Sequence, residues 1–154
     1  MSTRREFLTV TTTLLAVRGA PRLQYVTSAS APKAIGPYSQ AVRTGSMLYA
    51  SGQIALDPAT GNLIQGDFAA QARRVLDNLK AVLHEAGADF RNVVRATVYL
   101  ADLANFQTLN SIYTEYFGES KPARSRGGRG NRRDRCPVVA AGFLTAISNT
   151  VRAT

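Results

Sequence analysis

The chain is poor in the residues that most enzymes use as metal ligands and nucleophiles. Its 154 residues include one cysteine, Cys136, one histidine, His84, and no tryptophan. A single cysteine excludes an intramolecular disulfide and a cysteine-based zinc site within one chain. His84 lies beside Glu85 on the polar side of a predicted helix, which argues against a Ser-His-Asp triad. With no H-E-x-x-H, P-loop or G-x-G-x-x-G motif either, the sequence predicts no metal and no cofactor.

Long apolar runs and an evenly spread charge are also missing. No run of about 18 apolar residues occurs, so a membrane-spanning helix is not expected. The net charge is +9, but residues 1–24 carry +3 and residues 124–135 carry +5, which leaves +1 for the other 118 residues. The body of the chain is therefore nearly neutral, and its length suits one domain.

The first 22 residues predict a leader rather than part of the fold. Arg4 and Arg5 precede a short apolar run from Phe7 to Val17, the layout of a twin-arginine export signal. Arg18 and Arg22 stand where a cleavage site needs small neutral residues. The alternative is a fortuitous basic start on a protein that stays in the cytoplasm. We expect export by the twin-arginine route and a folded domain over residues 23–154.

Periodicity in that domain predicts an α+β fold with a mixed β-sheet and two helices on one face. Strands are predicted at Gln24–Ser28, Ala41–Thr44, Met47–Ser51, Val93–Leu100 and Pro137–Ile147, and helices at Phe68–Ala86 and from Asp102 to Gly118. The second sheet face also carries apolar side chains, which favours burial against partner subunits. Residues 126–135 (RGGRGNRRDR) have no apolar side chain and are predicted not to form a packed strand.

Three short segments predict an anion-binding site. Gly36–Gln40 is a proline loop that presents a phenol and an amide. Ala50–Gln53 ends a strand in an open turn with free backbone donors. Pro122–Ser125 places Arg124 after a proline, and a guanidinium offers a carboxylate two parallel hydrogen bonds.

These segments, in this order, resemble the Rid family, also called the YjgF or L-PSP family of reactive intermediate deaminases. The resemblance runs from Ala31 to Ser125 through APKAIGPYSQAV, LYASGQIALDPATGNL, QARRVLDNLKAVLHEAGA, VVRATVYLADLANFQTLNSIYTEYFG and KPARS. It implies a chorismate-mutase-like single domain. It also implies a homotrimer around a central barrel, with sites in the clefts between subunits.

The resemblance implies hydrolysis of 2-imino or enamine acids, such as 2-iminobutanoate and 2-iminopropanoate, to 2-keto acids and ammonia. By motif, Arg124 would bind the substrate carboxylate, and Tyr38 and Ser51 would act beside it as catalytic residues. Gly52 and Asn110 would complete the substrate pocket. The reaction needs no cofactor, because an iminium carbon is already electrophilic.

The sequence departs from the family after the PARS motif. An apolar strand is usual there, and Arg126 stands where a cysteine often does. The family's glutamate near the last strand, which would activate water, is absent, and no Asp or Glu follows Asp134. One hypothesis is a reading-frame slip: with one choice of codons, RGGRGNRRDRC shifted by one base reads VEVAATAAIGA. Turnover would then be impaired in the chain as it stands.

Two other functions remain open from the sequence. The first is an RNA-binding protein or ribonuclease that acts on translation, since arginine and glycine tracts contact phosphates and some family members are described as ribonucleases. The tract lacks the aromatic residues of a stacking platform. The second is a trimeric ligand-binding or holdase-like protein without turnover.

Overall fold

A computed structural model describes residues 22–128 and 138–146 of the chain. In chain order the elements are β1 (Leu23–Val26), β2 (Ala41–Thr44), β3 (Met47–Gln53), α1 (Phe68–Glu85), β4 (Val93–Leu100), α2 (Phe106–Phe117), β5 (Ala123–Gly128) and β6 (Val138–Ala146). The predicted leader up to residue 21, residues 129–135 of the arginine tract and both ends of the last predicted strand lie outside the described residues.

The strands form one six-stranded sheet in the order β1-β2-β3-β6-β4-β5. β4 and β5 run parallel, and every other neighbouring pair is antiparallel, so the sheet is mixed as predicted. The last strand enters the middle of the sheet, between β3 and β4. This insertion separates the two strands that carry the predicted site residues.

Local sequence signals define both ends of α1 and the start of α2. The Asp67 side chain accepts a hydrogen bond from the Ala70 amide at 2.8 Å and caps the start of α1. Gly87 follows its end with a φ of 69°, a left-handed conformation that glycine adopts without strain. Asp102 caps a short 3-10 turn, Leu103–Asn105, so α2 begins at Phe106 rather than directly after Asp102.

The two helices cover one face of the sheet, as predicted. Leu79, Val82 and Leu83 of α1 are fully buried, together with Leu48 of β3 and Ala96 of β4. Burying these side chains is the main favourable term for folding. Because side chains alternate along a strand, the residues next to these point to the opposite face. There Tyr25, Tyr49 and Tyr99 are 69%, 50% and 44% exposed.

The prediction that residues 126–135 form no packed strand is wrong for the first three of them. Arg126, Gly127 and Gly128 extend β5 and pair with Val98, Tyr99 and Leu100 of β4. β5 is the outermost strand, so its pairing needs backbone groups on one side only and no apolar side chain. An edge strand therefore tolerates a composition that a central strand would not.

Candidate active site

Arg124 lies on β5 against three residues of α2. Its Nη2 donates a hydrogen bond to Oδ1 of Asn110 at 2.9 Å. Its guanidinium carbon lies 4.8 Å from the ring centroid of Tyr113 and 5.5 Å from that of Phe106. The three helical residues are spaced i, i+4 and i+7, so they form one stripe along the helix. We call these four residues the anchor half of the site.

The contacts of Arg124 with the described residues leave most of its donors unused. A guanidinium has five N–H groups, and Asn110 accepts from one of them. Within the described residues, Arg124 makes no ion pair with a carboxylate, and its side chain is exposed. This arrangement can accept a carboxylate from a ligand through two parallel hydrogen bonds.

The edge beside Arg124 carries further positive charge. The guanidinium carbon of Arg126 lies 4.4 Å from the centroid of the same Phe106 ring. On β4, Nη2 of Arg95 donates to Oγ of Ser125 at 3.5 Å. Arg126 thus places a second cation on the helix side of β5, whereas Arg95 and Ser125 alternate onto the opposite face of the sheet.

Tyr38 and Gly52 line a cavity of about 240 Å³ at the end of β3. Its wall also includes Lys33, Ile35 and Gln53. The Tyr38 hydroxyl accepts a hydrogen bond from the Ile35 amide at 3.4 Å, which holds the phenol against its own loop.

Ser51 stands beside this cavity, and its Oγ donates to the Ser39 carbonyl at 2.6 Å. That bond ties the end of β3 to the Tyr38 loop. We call Tyr38, Ser51 and Gly52 the loop half of the site.

Two details of the sequence interpretation need correction. The amide of Gln40 was expected to be presented to an anion, but Gln40 is 4% exposed and its side chain holds backbone groups. Nε2 donates to the carbonyls of Ser28, Ala31 and Pro32, and Oε1 accepts from the Ser28 amide at 2.5 Å. The Ser51 amide was expected to be free, but it donates to the Gln40 carbonyl at 2.9 Å. Both groups shape the loop half rather than bind a ligand.

A buried asparagine on α1 holds two residues of the cavity wall in place. Nδ2 of Asn78, on α1, donates to the carbonyls of Ile54 and Leu56 at 3.1 and 2.8 Å. Ile54 and Leu56 are both cavity residues. The segment that follows β3 is therefore held against α1, although it has no regular secondary structure.

The two halves lie apart within one chain. Two strands, β6 and β4, separate β3 from β5. At a spacing of about 4.8 Å between neighbouring strands, β3 and β5 are about 14 Å apart. Arg124 and Asn110 are thus brought together, and so are Tyr38, Ser51 and Gly52, but one subunit does not join the two groups.

The strand between the halves supplies no acid. Ala141 of β6 pairs with Gln53 of β3 on one side and with Val98 of β4 on the other. Residues 138–146 read VVAAGFLTA, without Asp or Glu. Among the described residues, no three His, Cys, Asp or Glu side chains are grouped so as to hold a metal ion. In the same residues no helix has the length and apolar character needed to cross a bilayer.

The fold and the sequence match one family of known proteins. Residues 28–128 match the family model described as Endoribonuclease L-PSP. A RutC family protein of Pyrococcus abyssi is 55% identical over 94 residues, which cover 61% of this chain and 74% of that protein. The human 2-iminobutanoate/2-iminopropanoate deaminase is 49% identical over 100 residues, which cover 65% of this chain and 73% of that protein.

Solved structures agree with the sequence matches. The crystal structure of the YjgF gene product from E. coli superposes with a TM-score of 0.71 at 37% identity and covers 80% of this chain and 98% of that one. The α+β fold is therefore that of the YjgF and L-PSP proteins, as the motifs predicted. The chain belongs to the Rid (YjgF/L-PSP) family.

The sequence interpretation missed the aromatic part of the anchor half. Phe106 and Tyr113 lie within the predicted second helix but were not among the predicted site residues. The signal was present in the spacing, because Asn110 lies four residues after Phe106 and three before Tyr113. A motif residue at the middle of such a stripe indicates that its helical neighbours face the same partner.

Proposed function

We propose that this chain hydrolyses reactive 2-imino and enamine acids to 2-keto acids and ammonia. The observation that carries the proposal is the state of Arg124, which is held in place but keeps free donors for a carboxylate. Relatives at about half identity are named 2-iminobutanoate/2-iminopropanoate deaminases, and this supports the same substrate class here.

The chemistry needs few groups. Water adds through its oxygen to C2 of the iminium acid and loses one proton to give a carbinolamine. The carbinolamine nitrogen then takes a proton and leaves as ammonia, while the hydroxyl loses its proton and the C2=O bond forms. An enamine must first take a proton at C3 to become the imine. Arg124 would hold the carboxylate, and Tyr38 and Ser51 would orient the water and relay its protons. Because β6 carries no carboxylate to accept the proton of water, we expect slow turnover.

The separation of the two halves supports a site between subunits. The anchor half of one subunit would face the loop half of another, with substrate in the cleft. The exposed tyrosines of the uncovered sheet face supply an apolar surface for that assembly, which we propose to be a homotrimer. In this arrangement the site is complete only in the oligomer.

A coupled assay tests the proposed reaction. A pyridoxal-phosphate dehydratase acting on threonine releases 2-iminobutanoate, and semicarbazide trapping follows its disappearance with and without this protein. We expect faster loss of the trapped imine and an equal amount of 2-oxobutanoate. If the rate equals that of spontaneous hydrolysis at micromolar protein, the deaminase assignment is wrong, and the nucleic-acid and the ligand-binding or holdase-like roles are left.

A nucleic-acid role is the second candidate, and the basic edge favours it. Arg124 and Arg126 both lie against the Phe106 ring on one face of β5, and the matching family model carries the description of an endoribonuclease. Binding through such a surface would weaken steeply with salt, since phosphate contacts release counterions. A gel shift with single-stranded RNA at low and moderate salt separates this role from the deaminase.

A further inference from the structure

Arg124 is restrained mainly by groups that take none of its N–H donors. A carboxylate partner within the protein would occupy two donors and neutralise the charge that a ligand must meet. An aromatic ring face attracts the guanidinium through its quadrupole and takes no donor from its edge. The Tyr113 ring, at 4.8 Å, is the nearer of the two rings that contact Arg124.

Tyr113 is itself held by a column of aromatic rings that reaches the core. Its ring stacks on Phe117 with centroids 3.9 Å apart and planes 11° from parallel. Phe117 packs on Phe90 at 4.7 Å, and these two residues are 3% and 5% exposed. The position of the Tyr113 ring is thus fixed by the core rather than by the surface.

The hydroxyl of Tyr113 has no role visible in these contacts. Among the described residues it is buried without a hydrogen-bond partner. Burial raises the pKa of Tyr113 to about 12, and the nearby Arg124 cation lowers it only in part. The phenol therefore stays protonated at working pH, and only its ring face contacts Arg124.

We propose that Tyr113 is a positioning residue for the carboxylate-binding arginine. Its ring face orients the guanidinium of Arg124 while leaving the donors of that group free for substrate. The inference rests on the proposed function in taking a 2-imino acid carboxylate as the ligand. It adds a residue outside the PARS and FQTLN motifs to the determinants of substrate affinity.

The test compares ring removal with hydroxyl removal. Tyr113→Leu removes the π-face, and we expect it to raise the KM for 2-iminobutanoate and the Kd for the stable product 2-oxobutanoate about two- to fivefold each, the scale of a cation–π contact at an exposed site. We expect kcat to change less than KM, because the chemistry occurs at C2 and not at the carboxylate. Tyr113→Phe keeps the ring, so its Kd should equal that of the native protein. Tyr113→Met, which fills the volume without a ring, replaces the leucine variant if that variant does not fold.

Tyr116→Leu is the matched control. Tyr116 lies on the same helix and packs edge-on against Phe90 at 5.7 Å, while its hydroxyl donates to Asp77. The control should lose stability in urea but keep the native Kd. The proposal is overturned if Tyr113→Leu leaves the Kd unchanged or if Tyr116→Leu weakens binding equally. It is also overturned if Tyr113→Phe weakens binding as much as Tyr113→Leu does.

The outcomes separate this inference from the proposed function. Native protein that binds 2-oxobutanoate without hydrolysing the imine would refute the deaminase, yet the Kd series would still decide the role of Tyr113. Native protein that does not bind 2-oxobutanoate at millimolar concentration would overturn the role of Arg124 as the carboxylate-binding residue, and that of Tyr113 with it.

Discussion

Arg124 and Asn110 join the edge strand β5 to the helix α2 through one hydrogen bond of 2.9 Å. The bond holds Nη2 of the guanidinium, while the Arg124 side chain stays exposed. An arginine in such a state is prepared to meet an anion without first breaking an internal ion pair. Its planar fork, rather than its charge alone, then decides which anions fit.

We expect Arg124→Lys to reduce deaminase efficiency by about 10- to 100-fold. Lysine keeps the charge but loses the two parallel donors, and one charge-assisted contact contributes about 1.5–3 kcal/mol. kcat/KM for 2-iminobutanoate measures the effect, with Arg91→Lys, an exposed arginine paired with Asp89, as the control. Full activity in Arg124→Lys would show that the carboxylate binds elsewhere.

The same variants also test the nucleic-acid alternative. An RNA-binding protein should lose affinity as arginines between 126 and 135 are replaced, while Arg124→Lys should matter little because its charge remains. A deaminase should show the reverse ranking. Gel shifts and imine hydrolysis on one set of variants therefore separate the two functions.

Gln40→Glu should destabilise the protein by about 2–4 kcal/mol, because it replaces a buried donor with a carboxylate that faces three carbonyl oxygens. The glutamate would have a raised pKa in the folded state. The loss should therefore shrink as the pH falls and the group becomes protonated. Urea unfolding at pH 7 and pH 5 measures this, with the exposed Gln65→Glu as control. Equal stability of the two variants at pH 7 would show that the Gln40 network is dispensable.

Regular periodicity allowed the sequence to predict most elements of the fold. α1 and β4 were predicted closely, because an apolar stripe of 3.6-residue period and a β-branched run are strong local signals. β5 was missed, since no strand was predicted over Ala123–Gly128. Its pairing depends on an available neighbour, β4, and not on its own side chains.

The motifs predicted candidate site residues but not how these residues are arranged. The motifs located Tyr38, Ser51, Gly52, Asn110 and Arg124 along the chain. Their division into two halves follows from the entry of β6 between β3 and β4, which is a long-range pairing. No local pattern encodes strand order, so the separation could only be read from the assembled sheet.

Removal of residues 1–22 should leave the fold intact. The first strand of the described residues, β1, begins at Leu23, and their buried hydrophobic core starts at Ala31. Thermal unfolding of the truncated and full chains should give cooperative transitions with similar midpoints. A truncated chain without a cooperative transition would show that the leader belongs to the fold.

The protein should be a homotrimer in solution, with a mass three times its 16.6 kDa. Tyr49→Lys should shift it toward monomer, because a charge would be buried on the uncovered sheet face. Leu103→Lys is the matched control, since Leu103 is similarly exposed at 52% but lies in the turn before α2. Light scattering of the native protein at micromolar concentration that gives one subunit mass would refute the trimer.

Resequencing the gene across the codons for residues 120–140 tests the reading-frame hypothesis. We expect independent clones to differ from the present sequence by a single base after the codon for Ser125. The family match ends at Gly128, inside the arginine and glycine tract, where a shifted frame would remove the resemblance.

The restored frame should read as an apolar, strand-forming segment and should supply a glutamate near the last strand. Protein made from the corrected gene should then hydrolyse 2-iminobutanoate faster than the present chain, because a carboxylate can accept a proton from the attacking water. Independent clones that keep the arginine and glycine codons in frame would end the hypothesis. The missing glutamate would then be a native property of this protein.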